Sequence, residues 1–265
     1  MQFSENSNVS LVITSCGRFK LLKRTLESFD NYNTYPIKKI IITEDSGNEK
    51  VENYIPQHWL NYCNIIINNP KLGQIPSIDL AYSLIDTDYI FHCEDDWSFY
   101  REGFIEDSLE ILKRDNDILQ VWLRDLKKDV LIRYPFHYAG KKDCINNINY
   151  FHLESTDNTW KGFSFNPGLR RLNDYLPLKP FHKEGKKAEY IESELSKKYY
   201  QLGKYAVILE NSAVEHIGWD NHINNDDEIK NLKKKRNRKI KYISIGFILG
   251  ILFTFLLEYI VRGLS

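Results

Sequence analysis

Three adjacent carboxylates, Glu94-Asp95-Asp96, close the apolar run Tyr89–Cys93 (YIFHC) and are followed at once by Trp97. Standing alone, such a triplet is usually a solvated turn. Here the apolar run pins it to the body of a domain, and residues i and i+2 of a strand end, Glu94 and Asp96, lie on one side and can face one cleft. Hard divalent cations such as Mn²⁺ or Mg²⁺ take oxygen ligands of this kind and complete their shell with diphosphate oxygens. A cation so held acts as a Lewis acid toward a departing diphosphate.

Other groups that can do chemistry also stand at the ends of apolar runs. Ser15-Cys16-Gly17-Arg18 follows Val9–Thr14 (VSLVIT), and Glu44-Asp45-Ser46-Gly47 closes Ile37–Thr43 (IKKIIIT). His216 ends the short run Ala213–His216, where a core histidine is the competing reading. Glu192 and Glu194 fall in Ala188–Leu202, which the spacing predicts as a helix. On a helix they are about 200° apart, so only one can face a cleft while the other pairs with Lys197 or Lys198.

The elements that must position these groups alternate. Val9–Thr14, Ile37–Thr43, Asn64–Ile67 and Tyr89–Cys93 read as strands, and Arg18–Tyr32 and Ile75–Leu84 as helices. This alternation predicts an α/β fold with a mostly parallel sheet flanked by helices. In such sheets ligands bind beyond the carboxyl ends of the strands, so the three polar ends belong on one rim. Residues 124–185 show less regularity and few elements are placed there. Tyr205–Leu209 and Ala213–His216 read as short late strands.

Composition narrows the function. The 265 residues are 42% hydrophobic, 27% charged and 14% aromatic, with zero formal charge. Eight basic residues lie in Lys230–Lys241, and only Glu258 and Arg262 carry charge beyond them, leaving 27 basic against 35 acidic residues in 1–229, a net of −8. Such an acidic body argues against nucleic acid as a partner. The four cysteines, Cys16, Cys63, Cys93 and Cys144, are scattered and form no CxxC pair, which argues against a zinc site or a disulfide framework. MQFSENSNVS has neither a basic start nor an apolar stretch, so no signal peptide is expected.

Tyr242–Leu257 holds sixteen residues without a charge, and extension to Val261 gives twenty with one Glu. About twenty are needed to cross a bilayer. A buried core helix and an interfacial helix are the alternatives, but an interfacial helix needs a polar face, which this run lacks. The preceding KKKRNRKIK, residues 233–241, places the body in the cytosol by the positive-inside rule. Read alone that run is also a nuclear signal or RNA patch, whereas next to an apolar segment it suits anionic lipid. The expected organisation is a catalytic domain at 1–229, a basic juxtamembrane segment at 230–241 and a C-terminal transmembrane helix at 242–261.

Taken in order, VSLVITSCGR, IIITEDSG, YIFHCEDDW, Glu192-Ser193-Glu194-Leu195 with Gly203 beyond it, and Val214-Glu215-His216 resemble the successive motifs of a family 2 glycosyltransferase with the GT-A fold. The resemblance covers residues 9–217. It implies transfer of a sugar, with inversion, from a nucleoside diphosphate sugar, a UDP-sugar first, to an acceptor hydroxyl on a glycan, lipid-linked or protein partner. By the same resemblance, Thr14, Ser15, Cys16, Arg18, Asp45, Lys71 and Asp95 line the donor, with Arg18 near phosphate and Asp45 accepting from the base. Glu94, Asp96 and His216 hold Mn²⁺ or Mg²⁺, and Glu192 is the catalytic base, with Asp157 and Glu154 next in line. Trp160, Gly162 and Phe163, within WKGFSFNPG, border the acceptor. The chain departs from the family pattern at Cys16, where an aromatic is usual, at Glu94, where Asp is usual, and at Ile191-Glu192, where Glu-Asp is commoner.

Two other enzyme classes fail at the first turn. A dinucleotide-binding oxidoreductase needs G-x-G-x-x-G, and residues 14–19 supply only Gly17. A phosphatase with a nucleophilic Asp finds Thr-Ser-Cys there instead. A non-catalytic, membrane-tethered relative that keeps the fold is the remaining alternative.

Overall fold

The computed structural model describes residues 1–158 and 160–219. The expected juxtamembrane and transmembrane segments, 230–241 and 242–261, lie outside these. Among the described residues no helix is long and apolar enough to cross a membrane.

The chain opens with β1 (Val9–Ser15), α1 (Phe19–Tyr32) and β2 (Ile40–Glu44). Two 3₁₀ turns, Glu49–Tyr54 and Gln57–Tyr62, lead to β3 (Cys63–Ile67), α2 (Gln74–Ser83) and β4 (Tyr89–Glu94). Then come β5 (Trp97–Phe99), α3 (Phe104–Arg114), β6 (Ile118–Trp122), a π-turn at Leu126–Val130 running into α4 (Leu131–Arg133), β7 (His137–Ile145) and β8 (Ile148–Ser155). The last described elements are β9 (Gly168–Arg171), α5 (Leu172–Tyr175), α6 (Ala188–Gln201), β10 (Tyr205–Leu209) and β11 (Val214–His216).

The central sheet has the order β3-β2-β1-β4-β9. Its first four strands are parallel, whereas β9 runs antiparallel to β4. A second sheet, β6-β10-β8-β7, is mixed, and β11-β5 form an antiparallel ribbon. The fold is therefore α/β with mixed sheets, where the sequence suggested one mostly parallel sheet. The largest departure is at 124–185, expected to be irregular, where β7 and β8 form a long hairpin. Its turn is Asn146-Asn147, with φ of 48° and 67°. Two successive positive φ values are the signature of the tight hairpin turn that Asn tolerates.

Every residue of β1 is buried. Leu11 and Ile13 meet Leu22, Leu26 and Phe29 of α1 on one face, while Val12 meets Ile75 and Ile78 of α2 and Ile191 and Leu195 of α6 on the other. Alternate β1 side chains thus seed two cores, as the two-residue period of a strand requires. α1 is tied to the ribbon by Thr25 Oγ1 and Ser28 Oγ, which accept from Trp97 N at 3.1 Å and Phe99 N at 3.0 Å. Phe29 meets the rings of Phe91, Phe99 and Phe104 at centroid distances of 5.4, 5.1 and 5.7 Å. Phe29→Ala should cost about 3–5 kcal/mol, read as a lowered midpoint in urea unfolding.

Candidate functional site

Parallel pairing aligns Ser15 with Glu44 and Thr14 with Glu94, so the ends of β1, β2 and β4 lie side by side on one rim. The loop after β1 turns sharply at Gly17, whose φ is +71°, and a Cβ there would press on Ser46 Cβ at 3.3 Å. Glu44 closes this corner from below, its Oε1 accepting from Gly17 N at 2.9 Å and Ser46 N at 2.8 Å. Sequence reasoning passed over Glu44, a fully buried acid on a strand end, in favour of its neighbour.

Asp45 was expected to offer its carboxylate to a nucleotide base. In the structure it is largely committed to the loop before α2. Its Oδ1 accepts from Asn68 Nδ2 (3.0 Å), Leu72 N (2.8 Å) and Ser77 Oγ (3.3 Å), and its Oδ2 from Gly73 N (2.9 Å). Only Oδ2 keeps capacity for a further donor. The same loop carries Lys71 up to the Cys16 thiol, so these two predicted donor residues meet. Burial raises the Cys16 thiol above its ordinary value, and Lys71 opposes that rise. Thr14 and Ser15 are buried beneath the loop.

Asp95 and Asp96 are 1% and 5% exposed. Arg18 grips both. Its Nη2 pairs with Asp95 Oδ1, its Nε donates to Asp95 Oδ2 at 3.3 Å, and its Nη1 lies 2.7 Å from Asp96 Oδ2. Burial lifts Asp95 to about 6 against the pull of the guanidinium. Burial also acts upward on Asp96, but the hydrogen bond and charge of His216, with Arg18, hold it below the usual carboxylate range. His216 Nε2 is 3.4 Å from Asp96 Oδ2, which β11 makes possible by pairing His216 with Trp97 on β5. Behind Asp96 the backbone closes in: Ile217 N donates to Asp96 O at 2.9 Å, and a Cβ on Gly218 would fall 2.5 Å from Asp96 Oδ2.

Glu94 is directed toward Gln74 and Trp97. Glu94 Oε1 accepts from Gln74 Nε2 at 2.6 Å and Oε2 from Trp97 Nε1 at 3.5 Å. Burial first, then the charges of Asp96, Glu192 and Asp95, raise the Glu94 carboxyl to about 8. Among the described residues no group of three His, Cys, Asp or Glu side chains gathers into a cation site. Asp96 Oδ1 and His216 Nδ1 are nevertheless buried without a partner. These two residues fit a hard cation that draws most of its shell from phosphate and water.

Across the rim, α6 presents Glu192. Its Oε1 accepts from Phe165 N at 2.8 Å. Burial raises its carboxyl to about 7, against the Phe165 amide, Ser164 and Arg170, which favour the charged form. Glu194, two residues on, faces away and pairs with Lys197 at 3.6 Å and Lys183 at 3.9 Å, as helix geometry requires. Glu154, a reserve candidate for base, is exposed on β8.

Two of the three expected acceptor residues are structural. Phe163 is 3% exposed, packed among Phe165, Phe181 and Tyr199. Gly162, with φ of +102°, gives its carbonyl to Trp122 Nε1 at 2.8 Å, and a Cβ there would lie 2.6 Å from Ala206 Cβ. Both positions face the core because this stretch is wedged between β10 and α6; Trp160 alone stays partly exposed.

The family model of glycosyl transferase family 2 matches residues 10–171. Among solved structures, residues 1–349 of S. aureus TarS align at a TM-score of 0.55 and 13% identity, over 78% of this chain and 59% of that one. The mannosyltransferase PcManGT from Pyrobaculum calidifontis, in complex with GDP-Man and Mn²⁺, aligns at 0.59 and 10%, over 83% and 61%. A longer TarS structure gives 0.56 and 14%, over 78% and 36%. At these identities the likeness is one of fold, and this chain spans about three fifths or less of each neighbour. No curated protein matches it.

The clamp on Asp45 makes a specific expectation. Asp45→Ala leaves Leu72 N, Gly73 N and Asn68 Nδ2 without their acceptor, and should destabilise the protein by about 1–3 kcal/mol. Amide exchange at Leu72 and Gly73 should accelerate first.

Proposed function

The chain belongs to glycosyl transferase family 2 and has a GT-A-like fold, and on that premise we propose that it moves a sugar, with inversion, from a nucleoside diphosphate sugar to an acceptor hydroxyl with the help of a divalent cation. The observation that carries this reading is the gathering of these groups near the end of β4. Arg18 bridges Asp95 and Asp96 there, and Glu192, its carboxyl raised to about 7, lies close enough to act on Glu94 of the same strand end. A UDP-sugar is the first candidate, because the remaining acceptor capacity of Asp45 suits the imide N–H of uracil. PcManGT, bound to GDP-Man and Mn²⁺, makes GDP-mannose the second.

In the proposed reaction the acceptor oxygen attacks the anomeric carbon as its proton passes to Glu192. The bond from that carbon to the diphosphate oxygen breaks, and the nucleoside diphosphate leaves with the electron pair. Arg18 already bridges Asp95 and Asp96, so it is placed to exchange a carboxylate for a phosphate and stabilise the leaving group. Mn²⁺ or Mg²⁺, held by Asp96 and His216, supplies Lewis-acid stabilisation to the same oxygens when bound. Glu94 keeps Gln74 and Trp97 in place beside Asp95 and Asp96. The apolar run 242–261 supports a membrane anchor that keeps the body on the cytosolic side, next to a lipid-linked or membrane-proximal glycan or protein acceptor.

Asp96→Ala should abolish the Mn²⁺- or Mg²⁺-stimulated release of nucleotide from a panel of nucleotide sugars; full activity in this variant would overturn the metal role. Because the base must be ionised and burial places Glu192 at about 7, the rate should fall about tenfold per pH unit below 7 and level off above it. Glu192→Gln should lower transfer by about 10²–10⁴-fold while calorimetric binding of the nucleoside diphosphate survives. Equal transfer rates in wild type and Glu192→Gln would move the base elsewhere.

A further inference from the structure

Arg170 stands on β9 with its guanidinium driven into the core and only 5% exposed. The rings of Phe163 and Phe165 lie 5.6 and 5.9 Å from its central carbon. Among the described residues it forms no salt bridge, and its Nε and Nη1 have no hydrogen-bond partner. A buried charge without a paired anion costs several kcal/mol, and an apolar side chain of similar volume avoids that cost. Packing therefore does not account for an arginine here.

Its hydrogen bonds to two carbonyls do. Nη2 donates to Ser164 O at 3.0 Å and to Asn166 O at 3.2 Å, clamping the turn 164–166 by two carbonyls. Gln120 on β6 braces the same turn, its Oε1 accepting from Ser164 N at 3.2 Å. Between the two clamped carbonyls is Phe165, whose amide donates to Glu192 Oε1 at 2.8 Å. Arg170 thus holds the backbone that holds Glu192, and its charge also favours the ionised carboxylate.

We propose that Arg170 is a positioning residue for Glu192: by clamping the carbonyls of Ser164 and Asn166 it fixes the turn whose Phe165 amide holds the carboxylate. This rests on the reading of Glu192 as the base. The groups that act on Glu192 are Arg170 from β9, the Phe165 amide and Ser164 from the turn, Glu189 on its own helix and Glu94 at the end of β4. Of these only Arg170 brings a positive charge.

The test uses the full chain with whichever of a panel of UDP-sugars and GDP-mannose it turns over. In Arg170→Met, kcat should fall about 10²-fold, the typical effect of moving a catalytic group by about 1 Å, with the donor KM unchanged within about twofold. The acid limb of its pH–rate profile should rise by about one unit, since a nearby opposite charge is worth about 1–3 units. Arg170→Lys retains charge but not the two-carbonyl clamp, so its limb should stay while kcat falls. The Phe165 amide resonance, followed by NMR against pH without substrate, should report the same displacement in Arg170→Met.

A limb and an amide titration in Arg170→Met identical to wild type overturn the proposal. If Arg170→Met does not fold, Arg170→Lys decides, and wild-type kcat in that variant overturns the clamp. Glu192→Gln separates this inference from the reading beneath it. If it abolishes the limb while Arg170→Met leaves it in place, only the role of Arg170 fails. If it transfers as fast as wild type, the base assignment fails, and the Phe165 titration still reports whether Arg170 governs Glu192.

Discussion

Parallel pairing of β1 with β2 on one side and β4 on the other is the constraint from which the site follows. Both faces of β1 are buried, so its register is fixed by two separate cores: a slip of one residue would send Leu11 and Ile13 to α2 and Val12 to α1. With register fixed, Thr14 must end beside Glu94, and Ser15 beside Glu44. The polar residues that follow each strand therefore arrive on one rim without any interaction among themselves to bring them there. Their mutual contacts come afterwards and decide what each carboxylate is free to do.

Five acids crowd that rim, and each is accommodated differently. Glu44 and Asp45 are held by backbone amides, of Gly17 and Ser46 in one case and of Leu72 and Gly73 in the other. Asp95 is paired with a guanidinium, Asp96 with the same guanidinium together with an imidazole, and Glu94 accepts from the side chains of Gln74 and Trp97. Burial raises the cost of every unpaired charge, so few carboxylate oxygens are left without a partner. One of them, Asp96 Oδ1, belongs to the residue that His216 also approaches. Another is Glu44 Oε2.

Much of this was legible in the sequence because hydrophobic period and strand-end chemistry are local. β1 to β4, α1, α2, α6 and β10 lie where the apolar spacing puts them, to within three residues at their ends. The β7–β8 hairpin was missed because its strands carry Lys141, Lys142 and Asp143 on an exposed edge, which masks alternation, and because Asn-Asn is a weaker turn signal than Asn-Gly. The partners of the site residues were not legible at all. Nothing in IIITEDSG tells that Asp45 turns toward the amides of Leu72 and Gly73, and nothing in YIFHCEDDW tells that Glu94 reaches Gln74. Phe163 and Gly162 were misplaced for the same reason, since an aromatic beside a glycine reads alike in a cleft and in a core. The opposite orientations of Glu192 and Glu194 were legible, being fixed by helix geometry alone.

Gly218 lies two residues beyond His216, past the last described strand, at a position where, by sequence alone, any residue would pass. Its missing side chain is the space that Asp96 Oδ2 occupies. A mutation there adds no charge, breaks no hydrogen bond and touches no strand, yet even a methyl group must displace the carboxylate. Position 218 is thus coupled to position 96 by volume alone, and a side chain added there would act on the structure through the acid it displaces.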